Sequence, residues 1–427
     1  MRLKLIFIAL AMVQASLCFS QLTYSDTELF DEGIYFLNRN DYKEAVFYFK
    51  SLVERFPDNA HYNFLTGECY LNMENQEHLA IPYFEVAIKS IVPKKEFRRR
   101  AFDESNAPLH AYFYLGNAYR YAGRLDDALK VYDTFINSPY YPYNYNDNVV
   151  GNEIQSCERA ALLQKDKKNI TVEFLPSIIN TDASESRPII STDGKTLVFI
   201  RTLKFYDAIY CTVKDEDGNW IEPYNITSQI QSDGNFYPVC LNDDGTKMLL
   251  TSDALGTNDL FVSRLQNNKW QPAEQLCNKI CSNGKETSAC FGISTDEVYF
   301  TSDRHGGKGG QDIYMIIYDR VKLKWGKPEL VDELSSEFDE ESVKFCKTCN
   351  TMFFSSKGFN NMGGYDIFSS RLIEGKWEVP VNMGYPINTT RNNVGFQPMP
   401  DCKSGLIALP DSISGVETDI ALIRIEP

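Results

Sequence analysis

The chain has 427 residues and a formal net charge of −15, with 58 acidic against 43 basic side chains. That length suggests two or three domains. The acidic balance argues against a nucleic-acid partner, since little here would neutralise phosphates, and against docking on anionic lipid head groups.

Residues Met1 to Ser20 read as a secretory signal peptide. Arg2 and Lys4 give the positive start, Leu5 to Leu17 the apolar core, and Cys18-Phe19-Ser20 the small side chains before cleavage near Ser20/Gln21. The expected location is the periplasm. In the competing reading Cys18 carries a lipid, against which Leu17 stands, being larger than the small residue such processing favours. No later apolar run approaches the ~18 residues of a membrane span, so no transmembrane segment is expected.

Residues 21–164 read as helical repeats with a period of about 34 residues. Gly33, Gly67 and Gly116 are each followed by an aromatic, Phe36, Tyr70 and Tyr119. Ala45, Ala80 and Ala128 come next, then Phe49, Phe84 and Tyr132, and Pro57, Pro93 and Pro139 close the units. That order is the tetratricopeptide (TPR) pattern, in which small residues let paired helices approach and rings fill the gap between hairpins. Three repeats form an α-solenoid, and a helix from about Asn146 to Gln164, with Val150, Ile154, Cys157 and Ala161 on one face, is expected to cap it. Lys94 to Pro108 is an insertion between repeats two and three. Its Arg98-Arg99-Arg100 run reads as a solvated loop, with a site for an acidic partner as the competing reading.

The fifth repeat position lies on the concave side and holds Phe30, Phe64 and Phe113. Glu68, Asn72, Asn117, Arg120 and Tyr121 stand at the ninth, twelfth and thirteenth positions of the later repeats. Three rings flanked by amides and an Arg suit an extended peptide or a partner helix, and these eight residues are the expected partner-binding set. The competing reading is that the rings pad the inter-helix core.

Residues 165–427 carry a second repeat, of roughly fifty residues, which is the mark of a radial β-propeller. Each copy has an Asp-apolar-apolar strand start, at Asp207, Asp259, Asp312, Asp366 and Asp419. Four copies run on to a Trp and a nearby Pro: Trp220/Pro223, Trp270/Pro272, Trp325/Pro328 and Trp377/Pro380. The fifth lacks that strand. Residues 170–175, ahead of the first blade, mirror the missing piece and are expected to close a five-bladed ring. The fold class is therefore α + β multidomain, an N-terminal TPR α-solenoid followed by a five-bladed β-propeller. The recurring Trp side chains read as packing residues more readily than as a sugar platform.

The chemistry-bearing residues are sparse. Four histidines, His61, His78, His110 and His305, stand without a strained nucleophile turn of the Gly-x-Ser-x-Gly kind. Gly306-Gly307-Lys308-Gly309-Gly310 lacks the spacing of a phosphate loop and matches Met362-Gly363-Gly364 in the next blade, so it reads as a blade-internal turn. Asp215-Glu216-Asp217-Gly218 and Asp243-Asp244-Gly245 fall at hairpins that favour Asp-Gly and lack EF-hand spacing. Of eleven cysteines, Cys346 and Cys349 straddle a turn and are expected to form a disulfide. With Cys277 and Cys281 they also allow a zinc reading, weakened by their lying in different blades. No catalytic residue, metal or cofactor is expected.

The chain resembles a family of exported proteins that join TPR repeats to a TolB-type, WD40-like propeller, nearest to the PorE-like periplasmic proteins of the type IX secretion system. The resemblance is carried by Ala107-Pro108-Leu109-His110-Ala111-Tyr112-Phe113-Tyr114-Leu115-Gly116-Asn117-Ala118-Tyr119, by Ser302-Asp303-Arg304-His305-Gly306-Gly307, by Gly309-Gly310-Gln311-Asp312-Ile313-Tyr314 and by Met362-Gly363-Gly364-Tyr365-Asp366-Ile367-Phe368. It implies a non-enzymatic periplasmic scaffold or adaptor at the outer membrane, with protein partners from the envelope or a secretion complex. The family's OmpA-like domain is lacking, so peptidoglycan binding is not expected. The alternative is a glycan- or peptide-binding propeller with its ligand at the central channel.

Overall fold

Ser25 opens the first helix with a capping box, its side chain and backbone exchanging hydrogen bonds with Glu28. The computed structural model describes residues 24–426 apart from 143, 253–257, 412–414 and 416; the expected leader and Cys18 lie outside the described residues. Helices follow as α1 (Asp26–Leu37), α2 (Tyr42–Arg55), α3 (Ala60–Leu71), α4 (Ile81–Ala87), α5 (Ala111–Tyr121), α6 (Leu125–Ile136) and α7 (Asp147–Leu163). None of the described helices is long and apolar enough to cross a membrane.

The chain divides into two units, Met1–Ala118 with Lys130–Tyr145, and Tyr119–Leu129 with Asn146–Pro427. In the first, the repeat glycines mark close approach. A Cβ on Gly33 would lie 2.6 Å from the Phe49 ring, on Gly67 2.8 Å from Phe84, and on Gly116 2.3 Å from Tyr132. Each ring occupies the volume that a side chain on its glycine would need, which is why the pattern pairs glycine with an aromatic.

Helix α7 groups with the second unit, not with the repeats it was expected to cap. Asn152 Nδ2 donates to the Lys357 carbonyl at 3.0 Å and Arg159 Nε to the Asn361 carbonyl at 2.6 Å. Its buried positions are Val150, Ser156, Cys157 and Ala160, while Ala161 is exposed. The polar residues that dock the helix on blade four carry no periodic signal.

Five antiparallel sheets form the propeller. Their three inner strands are Glu185–Ile190, Thr196–Thr202 and Asp207–Val213 in blade one; Phe236–Leu241, Lys247–Ser252 and Asp259–Gln266 in blade two; Ala289–Phe291, Glu297–Ser302 and Asp312–Asp319 in blade three; Glu340–Cys346, Thr351–Ser356 and Asp366–Ile373 in blade four; and Gln397–Pro398, Ser404–Pro410 and Thr418–Ile425 in blade five. The strand Ile170–Phe174 pairs antiparallel with Thr418–Ile425 as the outer strand of blade five. First and last segments of the propeller thus share one sheet. Apolar clusters sit between neighbouring blades, and Trp220, Trp270, Trp325 and Trp377 pack into them.

Candidate functional site

The trough expected of Phe30, Phe64 and Phe113 is filled. Phe30 and Phe64 are 1% and 0% exposed. The insertion read as a solvated loop folds back over them, with the Phe102 ring 5.9 Å from Phe30 and the Phe97 ring 5.6 Å from Phe64. Polar contacts hold it there. Arg99 Nη1 lies 2.8 Å from Glu68 Oε2, Tyr62 Oη donates to the Phe102 carbonyl at 2.9 Å, and His61 Nε2 lies 3.1 Å from the Arg99 carbonyl. Burial under this cover lowers His61, and likewise His110, to a pKa of about 4. Phe97 and Phe102 bring ring area to a segment whose charge suggested solvation, and burying that area holds it down while Arg98 and Arg100 stay exposed and Arg99 pairs with Glu68.

The other expected residues are dispersed. Phe113 is half-buried against Tyr132 and Phe135, at 5.8 Å from each. Asn117 Oδ1 accepts from Tyr132 Oη at 2.6 Å. Asn72 is exposed and donates to the Glu68 carbonyl at 2.8 Å. Arg120 is 1% exposed, pairs with Glu153 at 3.0 Å, donates to the Thr390 carbonyl and stacks 4.5 Å from the Tyr121 ring. Tyr121 Oη receives Asn392 Nδ2 at 3.4 Å. Arg120 is thus an internal tie of the second unit and not free to meet a partner.

The central channel is lined by the inner strands of all five blades, and Lys344 crosses it. Its Nζ donates to the Val239 carbonyl, and burial pushes its pKa down. Pockets of about 40 Å³ lie on either side, both bordered by Lys344. Each holds a few waters and not a sugar ring. Among the described residues the one carboxylate lining them is Glu341, its pKa raised by burial. Hydrolysis of a glycosidic bond calls for two carboxyl groups flanking the bond.

The repeat Asp has an internal task. Asp312 Oδ2 accepts from Lys308 N at 2.9 Å and Gly309 N at 3.1 Å, and Asp366 Oδ2 from Met362 N at 2.7 Å. The glycine-rich loop thus directs these N–H groups at the protein's own carboxylate. Gly218 and Gly245 sit at φ 85° and 70°, as their Asp-Gly turns require. A second recurrence is Ser or Thr with Glu four residues later. Thr181, Ser282 and Ser336 each give a backbone N–H and a hydroxyl to Glu185, Glu286 and Glu340. Burial raises Glu340 and Asp366 to about 7.

The expected Cys346–Cys349 bridge is replaced by Cys349–Cys402. Cys346 is the buried thiol, its Sγ 3.8 Å from that of Cys402. The turn between Cys346 and Cys349 brings both sulfurs to Cys402 of blade five, and it is Cys349 that makes the bond. Cys277 and Cys281 are free.

Two stretches match tetratricopeptide-repeat families. They are residues 30–93 and 110–139. No curated protein matches the chain. Among solved structures it is similar to TolB from Acinetobacter baumannii, at 14% identity and TM-score 0.37, over 58% of this chain and 57% of that one. It thus spans little more than half of that protein. Zg3597, a family 117 glycoside hydrolase from Zobellia galactanivorans, is similar at 11% identity and TM-score 0.38, over 60% and 90% of the two chains. The GH62 α-L-arabinofuranosidase catalytic domain of Coprinopsis cinerea is similar at 10% and 0.38, over 61% and 97%.

Proposed function

We propose that this protein is a non-enzymatic scaffold of the cell envelope, exported to the periplasm, that holds protein partners at the outer membrane in the manner of the secretion-associated family it resembles. TPR repeats and a propeller are both surfaces built by repetition, and their union supports a role in joining proteins. The observation that carries the reading is Lys344, which occupies the axis where a propeller hydrolase would seat its substrate. The location rests on the leader at residues 1–20.

The test is cross-linking and co-purification of the tagged full-length chain from its native envelope. Recovery of outer-membrane secretion components supports the reading. Hydrolysis of an oligosaccharide by the purified chain, lost in Glu341→Gln, would overturn it in favour of the channel.

A further inference from the structure

Four of the five blade junctions are filled by an indole, and the fifth is not. In blades two, three and four the Trp faces a fixed position of the third strand: Trp270 opposite Leu265, Trp325 opposite Tyr318 and Trp377 opposite Leu372. Counted from the repeat Asp, the same position in blade five is Ile425, and it faces Ile170. The closing strand comes from the other end of the propeller and brings no Trp.

The consequence is local. Trp270 packs with Ile189 and Ile209 of blade one, Trp377 lies 5.8 Å from Tyr299 of blade three, and Trp220 packs with Leu406 and Ile420 of blade five. The cluster between blades four and five contains no indole. At that junction a pocket of about 440 Å³ opens, floored by Ile170, Val172, Ile387 and Ile423 and rimmed by Lys167 and Lys168. This volume lies within the usual range of ligand sites, unlike the spaces along the channel.

We propose that this pocket receives a tryptophan side chain of a partner polypeptide, with carboxylates beside it. The indole follows from the protein's own architecture, which seats one in the other four junctions. The carboxylates follow from Lys167 and Lys168 at the rim, where Lys168 already holds the carboxylate of Asp166 at 3.1 Å. A polypeptide follows from the edge beside the pocket. The strand Ile170–Phe174 is the outermost of its sheet, with Val172 and Phe174 exposed at 45% and 44%, so an extended chain can lie along it. The proposal rests on the scaffold reading for the kind of partner, and on the blade register for the site.

The test uses the full chain and a fluorescein-labelled peptide, Gly-Asp-Trp-Asp-Gly, with its Trp→Ala counterpart as control. Saturable binding is expected for the first and roughly thirtyfold weaker binding for the second, the usual loss when a buried aromatic anchor is truncated. Ile170→Trp supplies the missing indole from within. It should abolish binding without lowering the melting temperature. Lys167→Glu with Lys168→Glu, both on the surface, should weaken binding about tenfold or more and decides the matter if Ile170→Trp fails to fold. Equal binding by wild type and the double lysine variant, or by the Trp and Ala peptides, overturns the proposal. So does displacement by N-acetyl-tryptophan with no preference for the peptide, which would make this a small-molecule site. No peptide binding by a chain that still recovers envelope partners removes the pocket and leaves the scaffold reading standing.

Discussion

The helical repeats and the propeller each depart from their repeat once, with opposite results. In the helices the departure is an added segment, and Phe97 and Phe102 close the groove over Phe30 and Phe64. In the propeller it is a substituted strand, and Ile170 leaves open a junction that the other blades fill with Trp. A surface made by repetition is thus best read at its irregular copy. The place where the TPR pattern leads one to expect a ligand is occupied, and the place where the propeller pattern breaks is vacant.

The largest effect expected is on the propeller's closure. Removing Ile170–Phe174 deletes five registered pairs. At ~1 kcal/mol net per hydrogen bond, set against a stability of ~5–15 kcal/mol, a chain lacking it should lose the propeller transition in a thermal melt. An unchanged transition would mean that the ring does not depend on the strand. Next comes the Cys349–Cys402 bridge, with a sequence separation of 53. In the chain-entropy account a loop of that size is worth about 4 kcal/mol. In oxidised protein Cys402→Ser should therefore lower stability well beyond Cys346→Ser, as read by denaturant titration. Equal losses would remove the bridge. In the helices Gly116→Ala places a Cβ against the Tyr132 ring and should cost about 1–3 kcal/mol by overpacking. A neutral result would show that the ring can move aside.

A pH effect separates the two regions by sign. Glu340 and Asp366, raised to about 7, hold protons in the folded propeller that the unfolded chain releases. Their contribution is fully present below the unfolded carboxylate pKa and is lost as pH rises to about 7. His61 and His110, lowered to about 4, stay neutral when folded while the unfolded chain takes up protons below 6.5. Their contribution is present above that value and lost as pH falls to about 4. Each group contributes up to about 1.4 kcal/mol per pH unit at the steepest. All four Trp lie in the propeller, so between pH 7 and pH 5 the fluorescence melt should move up and the helical circular-dichroism melt down. Glu340→Gln should flatten the fluorescence trend. Parallel movement of both melts would contradict the assignment.

Much of this was legible in the sequence because repetition turns packing into a pattern. The glycine–ring pairs of the helices and the Asp and Trp of the blades all do in space what their spacing implied. Residues outside the period were not. Phe97 and Phe102 lay in a segment whose arginines dominated its reading. Lys344 faces the channel because a bulge at Glu341/Lys344, with Ser342 at φ 56°, shifts the strand's alternation. Cys402 meets Cys349 across two blades, a contact that local spacing does not encode. The vacancy at Ile170 emerges only from its register with Ile425.

Hydrogen exchange on the full chain, with and without the Gly-Asp-Trp-Asp-Gly peptide, compares the two irregular copies in one measurement. New protection should be confined to residues 167–174 and to the neighbouring stretch around Pro386 to Asn393, with the segments bearing Phe30, Phe64 and Phe97 unchanged. Protection appearing instead in those helical segments would mean that the insertion yields to a ligand, and would contradict the account of a closed groove and an open junction.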